Sequence, residues 1–414
     1  MKWQKRTQEE IQTKVFEALS RNVNYTNEII LGVPASYLDE KVFPQNKTFL
    51  EDAAFLSALV QNPNHIGCHT VGESESFFRG TQEIEKELVE ICSEDILKGK
   101  KGEIDGYVAS GGTEANIQAI WIYRNYFQSE KNAKTTEIAI ICSQDSHYSM
   151  DKAANLLGLQ LFKVATDERT KTLQKNDLDH ILDKSEASGI RYYIVVANML
   201  TTVFGSVDNP TIYTDELTKR KANFKLHIDG AYGGFYYPFS NEHTNLNFSN
   251  PFVSSVTLDA HKMAQAPYGT GIFLIRKGFI HFVTTKQASY VEGEDCTLVG
   301  SRSGANAVAV WMILSTYGQN GWFEKIFILQ KRTDYLCEKL EELELEFFRN
   351  PYSNIVAIRS SSMAREIAVK YHLIPDNHFE ANWYKIVVME HVTLDKLEPF
   401  LADLKHHFSK PMIL

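Results

Sequence analysis

The chain has 414 residues, 43% hydrophobic and 23% charged, a globular composition large enough to bury a core without disulfide or metal support. A formal net charge of −9 argues against general nucleic-acid binding, which needs a basic face. Cys68, Cys92, Cys142, Cys296 and Cys337 are scattered and form no Cys-x-x-Cys pair, so no metal site is indicated and a reducing, cytoplasmic setting is expected. No apolar run approaches the roughly 20 residues of a membrane span. The charged start "MKWQKRTQEE" has no signal-like apolar region, so no membrane partner is expected.

The opening stretch reads as helical and loop-rich, with an irregular aromatic segment, "LGVPASYLDEKVFPQNKTF", whose Tyr37, Phe43 and Phe49 are candidate walls for an aromatic substrate. From about Gly106 the texture changes. The β-rich runs "GYVA", "EIAIIC", "LQLFKVA", "RYYIVVANM", "FKLHID", "SSVTLD" and "TGIFLIRKG" are nearly continuous in apolar residues, as strands buried on both faces should be. Between them lie helical candidates such as "YSMDKAANLLGL", "KNDLDHILDKSEAS" and "PTIYTDELTKRKANF". In the helix after Gly112, Ile117, Ile120 and Trp121 share one face. This alternation predicts an α/β fold with a mostly parallel sheet covered by helices. After Gly321 a long helix is predicted, followed by "SNIVAI" and "YKIVVMEH" as strands of a smaller α/β domain.

In open α/β sheets, ligands sit beyond the carboxyl ends of the strands. After "GYVA" comes Ser110-Gly111-Gly112-Thr113, then a helix whose first N–H groups suit a phosphate; the same stretch also reads as a plain helix entry. His147 follows the next strand, and Thr201 with Thr202 follows "IVVANM". Asp229 ends "FKLHID", a costly place for an acid unless something pairs with it. His261 and Lys262 follow "SVTLD". A phosphate cradle, a flat ring partner, hydroxyls, a carboxylate and a lysine form the set that pyridoxal 5′-phosphate requires. Lys262 is the expected Schiff-base lysine, and Asp229 the acid on the pyridinium nitrogen.

With "SGGTEAN", "HYSMDKAANLLGL", "TTVFGSVDNP", "HIDGAYGGF", "DAHKM" and "LVGSRSGANAVAVW" in that order, the chain resembles the group II pyridoxal-phosphate amino-acid decarboxylases. From about Asn62 onward it is most similar to the short archaeal tyrosine/aspartate decarboxylases and to bacterial histidine decarboxylases. The resemblance implies the type I, aspartate-aminotransferase-like fold. The expected divisions are an N-terminal segment over 1–60, a large cofactor domain over 61–320 and a small domain over 321–414.

It also implies roles. Lys262 carries the cofactor, with His261, Gly112 and Thr113 on its phosphate and Ser110 shaping the turn. His147 stacks on the ring, Asp229 pairs with its nitrogen, Ala231 packs on the opposite face and Thr201 lies near it. Tyr290, in "ASYVEGEDC", returns the proton to Cα, and Arg302 either serves structure or holds a substrate carboxylate. The family is a homodimer with the site between subunits. Two positions depart from the usual pattern: Gly230 replaces an alanine and Leu200 a glycine. His65 and His69 lie near the presumed substrate side, as selectors or as loop residues.

The expected reaction is decarboxylation of an L-amino acid to its amine, the substrate being aromatic, acidic or histidine. The alternatives are a carbon–carbon lyase of the sphingosine-phosphate-lyase kind, a transaminase, or a catalytically silent cofactor-binding regulator.

Overall fold

The computed structural model describes residues 3–23, 38, 42–43, 47–72, 75–285, 292 and 294–408. Its centre is a seven-stranded sheet ordered β1-β7-β6-β5-β4-β2-β3. The strands are β1 Ile104–Ala109, β2 Ile138–Ser143, β3 Gln160–Val164, β4 Tyr192–Asn198, β5 Asn223–Gly230, β6 Val253–Asp259 and β7 Gly271–Arg276. Strands β3, β2, β4, β5 and β6 pair in parallel, while β7 runs antiparallel to both β1 and β6. The apolar runs behave as their composition demands. In β2, Ile138, Ile140 and Cys142 enter one buried cluster, while Ala139 and Ile141 enter the cluster on the other face. Tyr193, Val195 and Ala197 of β4 likewise oppose Ile194 and Val196.

Helices cover both faces. They are α1 Gln8–Ser20, α2 Ala54–Gln61, α3 Arg79–Glu90, α4 Gly112–Lys131, α5 Ser149–Leu157, α6 Lys175–Ala187, α7 Pro210–Lys219 and the short α8 Tyr237–Ser240. On α4, Ile117 and Ile120 are buried and Trp121 packs half-buried against the same cluster, as their shared face predicts. Helix α1 opens with a capping box, in which Thr7 Oγ1 accepts the Glu10 N–H (3.2 Å) and Glu10 Oε2 accepts the Thr7 N–H (2.7 Å). Its buried Ile11, Val15, Ala18 and Leu19 face the core. In the aromatic segment between α1 and α2, Phe43 and Phe49 are exposed, and Tyr37 lies outside the described residues.

The long helix begins earlier than the sequence suggested. Helix α9 spans Gly304–Glu342, with the Ser303 hydroxyl accepting the Asn306 N–H at its start. It breaks at Gly318, whose φ of 61° is left-handed. The N-terminal segment crosses there, and a side chain at Gly318 would lie 2.4 Å from Lys5 N. The boundary expected at 320/321 therefore falls inside a helix that continues from one sheet to the other. The second sheet is antiparallel, ordered β10-β11-β9-β8, from β8 Phe347–Phe348, β9 Ile355–Arg359, β10 Ile374–Pro375 and β11 Trp383–Val387. With α10 Arg365–Lys370 and α11 Leu394–Phe408 it closes a separate core around Leu336, Val356, Ile358, Ile386 and Leu404.

Helix α3 packs on α1 at Gly80, where a Cβ would lie 1.8 Å from the Ala18 carbonyl oxygen. Backbone cannot yield as a flexible side chain does. Gly80→Ala is therefore expected to cost about 1–3 kcal/mol by overpacking. Thermal unfolding checks this, and an unchanged Tm would mean that the two helices part freely.

Candidate active site

The parallel strands bring the anticipated groups to one edge. Strand β1 delivers the turn Ser110-Gly111-Gly112, which lies so close to β7 that a Cβ on Gly271 would sit 2.4 Å from the Gly111 carbonyl carbon. A Cβ on Gly112 would lie 2.9 Å from the Ala231 Cβ and 3.1 Å from Asp259 Oδ2. The Ser110 N–H and hydroxyl both donate to Glu114 Oε2 (2.6 and 2.5 Å), so Ser110 braces the turn. The Thr113 hydroxyl and the N–H groups of Thr113 and Glu114, at the start of α4, suit a phosphate. Asp259 Oδ2 accepts the Gly112 N–H (3.0 Å), and its other oxygen lies 2.7 Å from His261 Nδ1. Burial pushes the Asp259 carboxyl up, against the opposing charges of Lys262 and His261.

Lys262 is half-buried just beyond β6. Its charge reaches His147, whose pKa burial lowers and Lys262 lowers further, against the pull of Asp229. Asp229 is buried at the end of β5, with Oδ2 accepting from Asn116 Nδ2 (2.9 Å) and Oδ1 from the Ala231 N–H (3.1 Å). Asn116 also donates to Ser149 Oγ (3.0 Å), which lies 2.9 Å from His147 Nδ1. Its Oδ1 meets His227 Nε2 at 2.9 Å. The structure thus gathers Ser110, Gly112, Thr113, His147, Asp229, Ala231, His261 and Lys262 along one sheet edge. Tyr290 lies outside the described residues.

Thr201 sits beside this edge in a tight turn, its hydroxyl 2.7 Å from Ser206 Oγ and its N–H on the Ser206 carbonyl (2.8 Å). Leu200 keeps the left-handed backbone that a glycine would adopt freely, with φ 64°. From the second sheet, Lys385 Nζ donates to the Thr202 carbonyl (2.9 Å). Burial lowers the Lys385 pKa, and repulsion from Lys262 lowers it further.

Arg302 turns away from this set into a buried cluster. Its guanidinium donates to Glu85 Oε1 (2.6 Å), the Val108 carbonyl (2.9 Å) and the Gly67 carbonyl. His65 Nδ1 lies 2.5 Å and His69 Nε2 3.5 Å from Glu85 Oε2, and Glu85 Oε1 accepts the Val108 N–H (2.7 Å). Burial alone would raise the Glu85 pKa, but Arg302 and His65 hold it well below the usual carboxylate range. Two histidines and a carboxylate have the spacing of metal ligands, yet the guanidinium already neutralises the carboxylate and would repel a second cation.

The matching family model is described as the pyridoxal-dependent decarboxylase conserved domain, and it covers residues 82–358. The chain belongs to that family. A tryptophan decarboxylase of Clostridium sporogenes is 48% identical over 404 residues, covering 97% of each chain. A probable L-tyrosine/L-aspartate decarboxylase of Methanocella arvoryzae is 30% identical over 84% of this chain and 92% of its own. Among solved structures, L-methionine decarboxylase from Streptomyces superposes with a TM-score of 0.69 at 20% identity, over 96% of this chain and 93% of its own, a likeness of fold.

The protein is accordingly a pyridoxal-phosphate-dependent carboxy-lyase acting on amino acids. The residues present fit the cofactor: a lysine amine, a buried carboxylate and a helix N-terminus share one edge, and the contact with Ala231 leaves room for no Cβ at Gly112. Sequence reading missed Asn116, Ser149 and His227, which depend on contacts between distant elements.

If Arg302 is structural, Arg302→Met strands the buried Glu85 charge and should cost about 3–5 kcal/mol. Melting curves and steady-state kinetics separate the roles. A raised KM with an unchanged Tm would return Arg302 to the substrate.

Proposed function

We propose that this enzyme decarboxylates a bulky aromatic L-amino acid, L-tryptophan first, to its amine and carbon dioxide. The observation that carries this reading is the commitment of Arg302: its guanidinium is spent on Glu85 and on backbone carbonyls, which removes the candidate partner for an acidic side chain. The Clostridium relative, a tryptophan decarboxylase, supports it across nearly the whole chain. One observation favours an acidic substrate instead, the half-buried Lys385 ammonium within electrostatic reach of Lys262.

Pyridoxal phosphate supplies an aldehyde that condenses with amines and a ring that accepts the electron pair left when the carboxylate departs. The chain's residues do the remainder. Lys262 would hold the cofactor through its side-chain amine. Asp229 would keep a proton on the ring nitrogen, with His147 and Ala231 as the residues that would pack against the ring. Thr113, Gly112 and His261 hold the phosphate, and Thr201 braces the ring's edge. Tyr290 gives Cα the proton that replaces carbon dioxide.

A homodimer with the site between subunits completes the proposal. Tyr148 and Tyr268 are 60% and 86% exposed beside His147 and His261, an aromatic rim that a second copy would cover. The free, buried cysteines support a reducing cytoplasm. No helix among the described residues is long and apolar enough to cross a membrane.

The test is product mass spectrometry after incubating holoenzyme with single L-amino acids. Tryptamine with carbon dioxide from L-tryptophan is expected. Turnover confined to L-aspartate or L-glutamate would overturn the aromatic reading, and keto acids would point to transamination. Tyr290→Phe should slow amine formation by about 10²–10⁴-fold with little change in KM; an unchanged rate removes Tyr290 from the proton transfer. Lys262→Ala should abolish the borohydride-reducible link between chain and cofactor.

A further inference from the structure

A buried hydrogen-bonded chain lies beneath the site, and none of its inner members is explained by contact with the cofactor. Tyr123 Oη donates to Ser255 Oγ (2.5 Å), which lies 2.7 Å from His227 Nδ1. His227 Nε2 meets Asn116 Oδ1 at 2.9 Å, with Thr257 Oγ1 3.3 Å away, and Asn116 Nδ2 reaches Asp229 Oδ2 and Ser149 Oγ. His227 and Ser255 are fully buried.

Donor and acceptor balance constrains the protons in this chain. An ionised Asp229 only accepts, so Asn116 must turn its amino group toward it. Asn116 Oδ1 then faces His227, which must carry hydrogen on Nε2. His227 Nδ1 is left as an acceptor for the Ser255 hydroxyl, which accepts in turn from Tyr123. At the other end, Ser149 Oγ accepts from Asn116, and the Ser149 N–H donates to His147 Nδ1 (3.2 Å), which by itself leaves hydrogen on His147 Nε2. Burial supports a neutral His227 by pushing its pKa down to about 4.

We propose that His227 is a positioning residue: by donating Nε2–H to Asn116, it locks the amide whose nitrogen donates to Asp229. A histidine able to swap its hydrogen to Nδ1 would let the Asn116 amide flip and turn an oxygen against the carboxylate. Ser255, which accepts from Tyr123, keeps its own hydroxyl hydrogen for Nδ1 and so favours the Nε2–H form. The inference rests on the proposed role of Asp229 at the ring nitrogen.

The test compares His227→Leu, His227→Gln and Ser255→Ala holoenzymes, with Asp229→Ala as reference. The readouts are the cofactor dissociation constant, the pH titration of bound-cofactor absorbance, and the Tm of each cofactor-free protein. His227→Leu is expected to weaken cofactor binding roughly 2–10-fold, the worth of a neutral hydrogen bond, and to shift the titration toward that of Asp229→Ala. His227→Gln, whose amide nitrogen can replace Nε2 as donor, should restore most of both. Ser255→Ala should shift the titration the same way by less.

Equal impairment in His227→Gln and His227→Leu would overturn the proposal, as would a fall in Tm with no change in affinity or titration. If His227→Leu does not fold, an unchanged titration in Ser255→Ala overturns it. An Asp229→Ala protein that matches the parent in affinity and titration would instead refute the underlying role of Asp229.

Discussion

A carboxyl group at the end of a buried central strand must be met by fixed donors, and the site is arranged around that requirement. Asp229 closes β5, with β4 on one side and β6 on the other, so water cannot solvate it freely. Its donors are the Ala231 N–H and the Asn116 amide, the latter projecting from α4. The place of α4 depends in turn on the turn before it, which approaches β7 only because residue 271 has no side chain. Asp229 and the Ser110-Gly111-Gly112 turn are therefore coupled. The helix that presents N–H groups at its tip also presents Asn116 one turn later.

A second buried charge works differently. Glu85 and Arg302, with His65 and His69 around them, tie the segment near residue 65, helix α3 and the start of α9 to the end of β1. Exposed ion pairs such as Arg359–Glu168 contribute about 0–1 kcal/mol each. A pair buried this fully is costly to break from one side, because the survivor stays charged in a dry place. Arg302, spent on Glu85, has its charge already matched within the fold.

The second sheet reaches the site through the rim turn that follows β4. Lys385 holds the Thr202 carbonyl, while the Lys171 ammonium sits 3.9 Å from the Phe204 ring centre and 5.2 Å from that of Trp383. These contacts clasp β11 to a turn containing the left-handed Leu200. A leucine in that conformation costs on the order of 1–3 kcal/mol. The hydrogen bonds around Thr201 and the burial of the Leu200 side chain offset it.

The sequence by itself determined the layered α/β plan and the order in which chemical groups reach the sheet edge. Both follow from local facts: apolar runs of strand length, and polar residues directly after them. Lys262, Asp229, His147 and the turn at Ser110-Gly111-Gly112 were legible for that reason. Tertiary structure alone decided what those groups touch. The antiparallel course of β7, the start of α9 at Gly304, the burial of Arg302 against Glu85 and the path from His227 through Asn116 to Asp229 join residues far apart in the chain. Residue spacing encodes a period and an edge. Which distant donor meets which acceptor is settled only when the sheet closes and its helices pack.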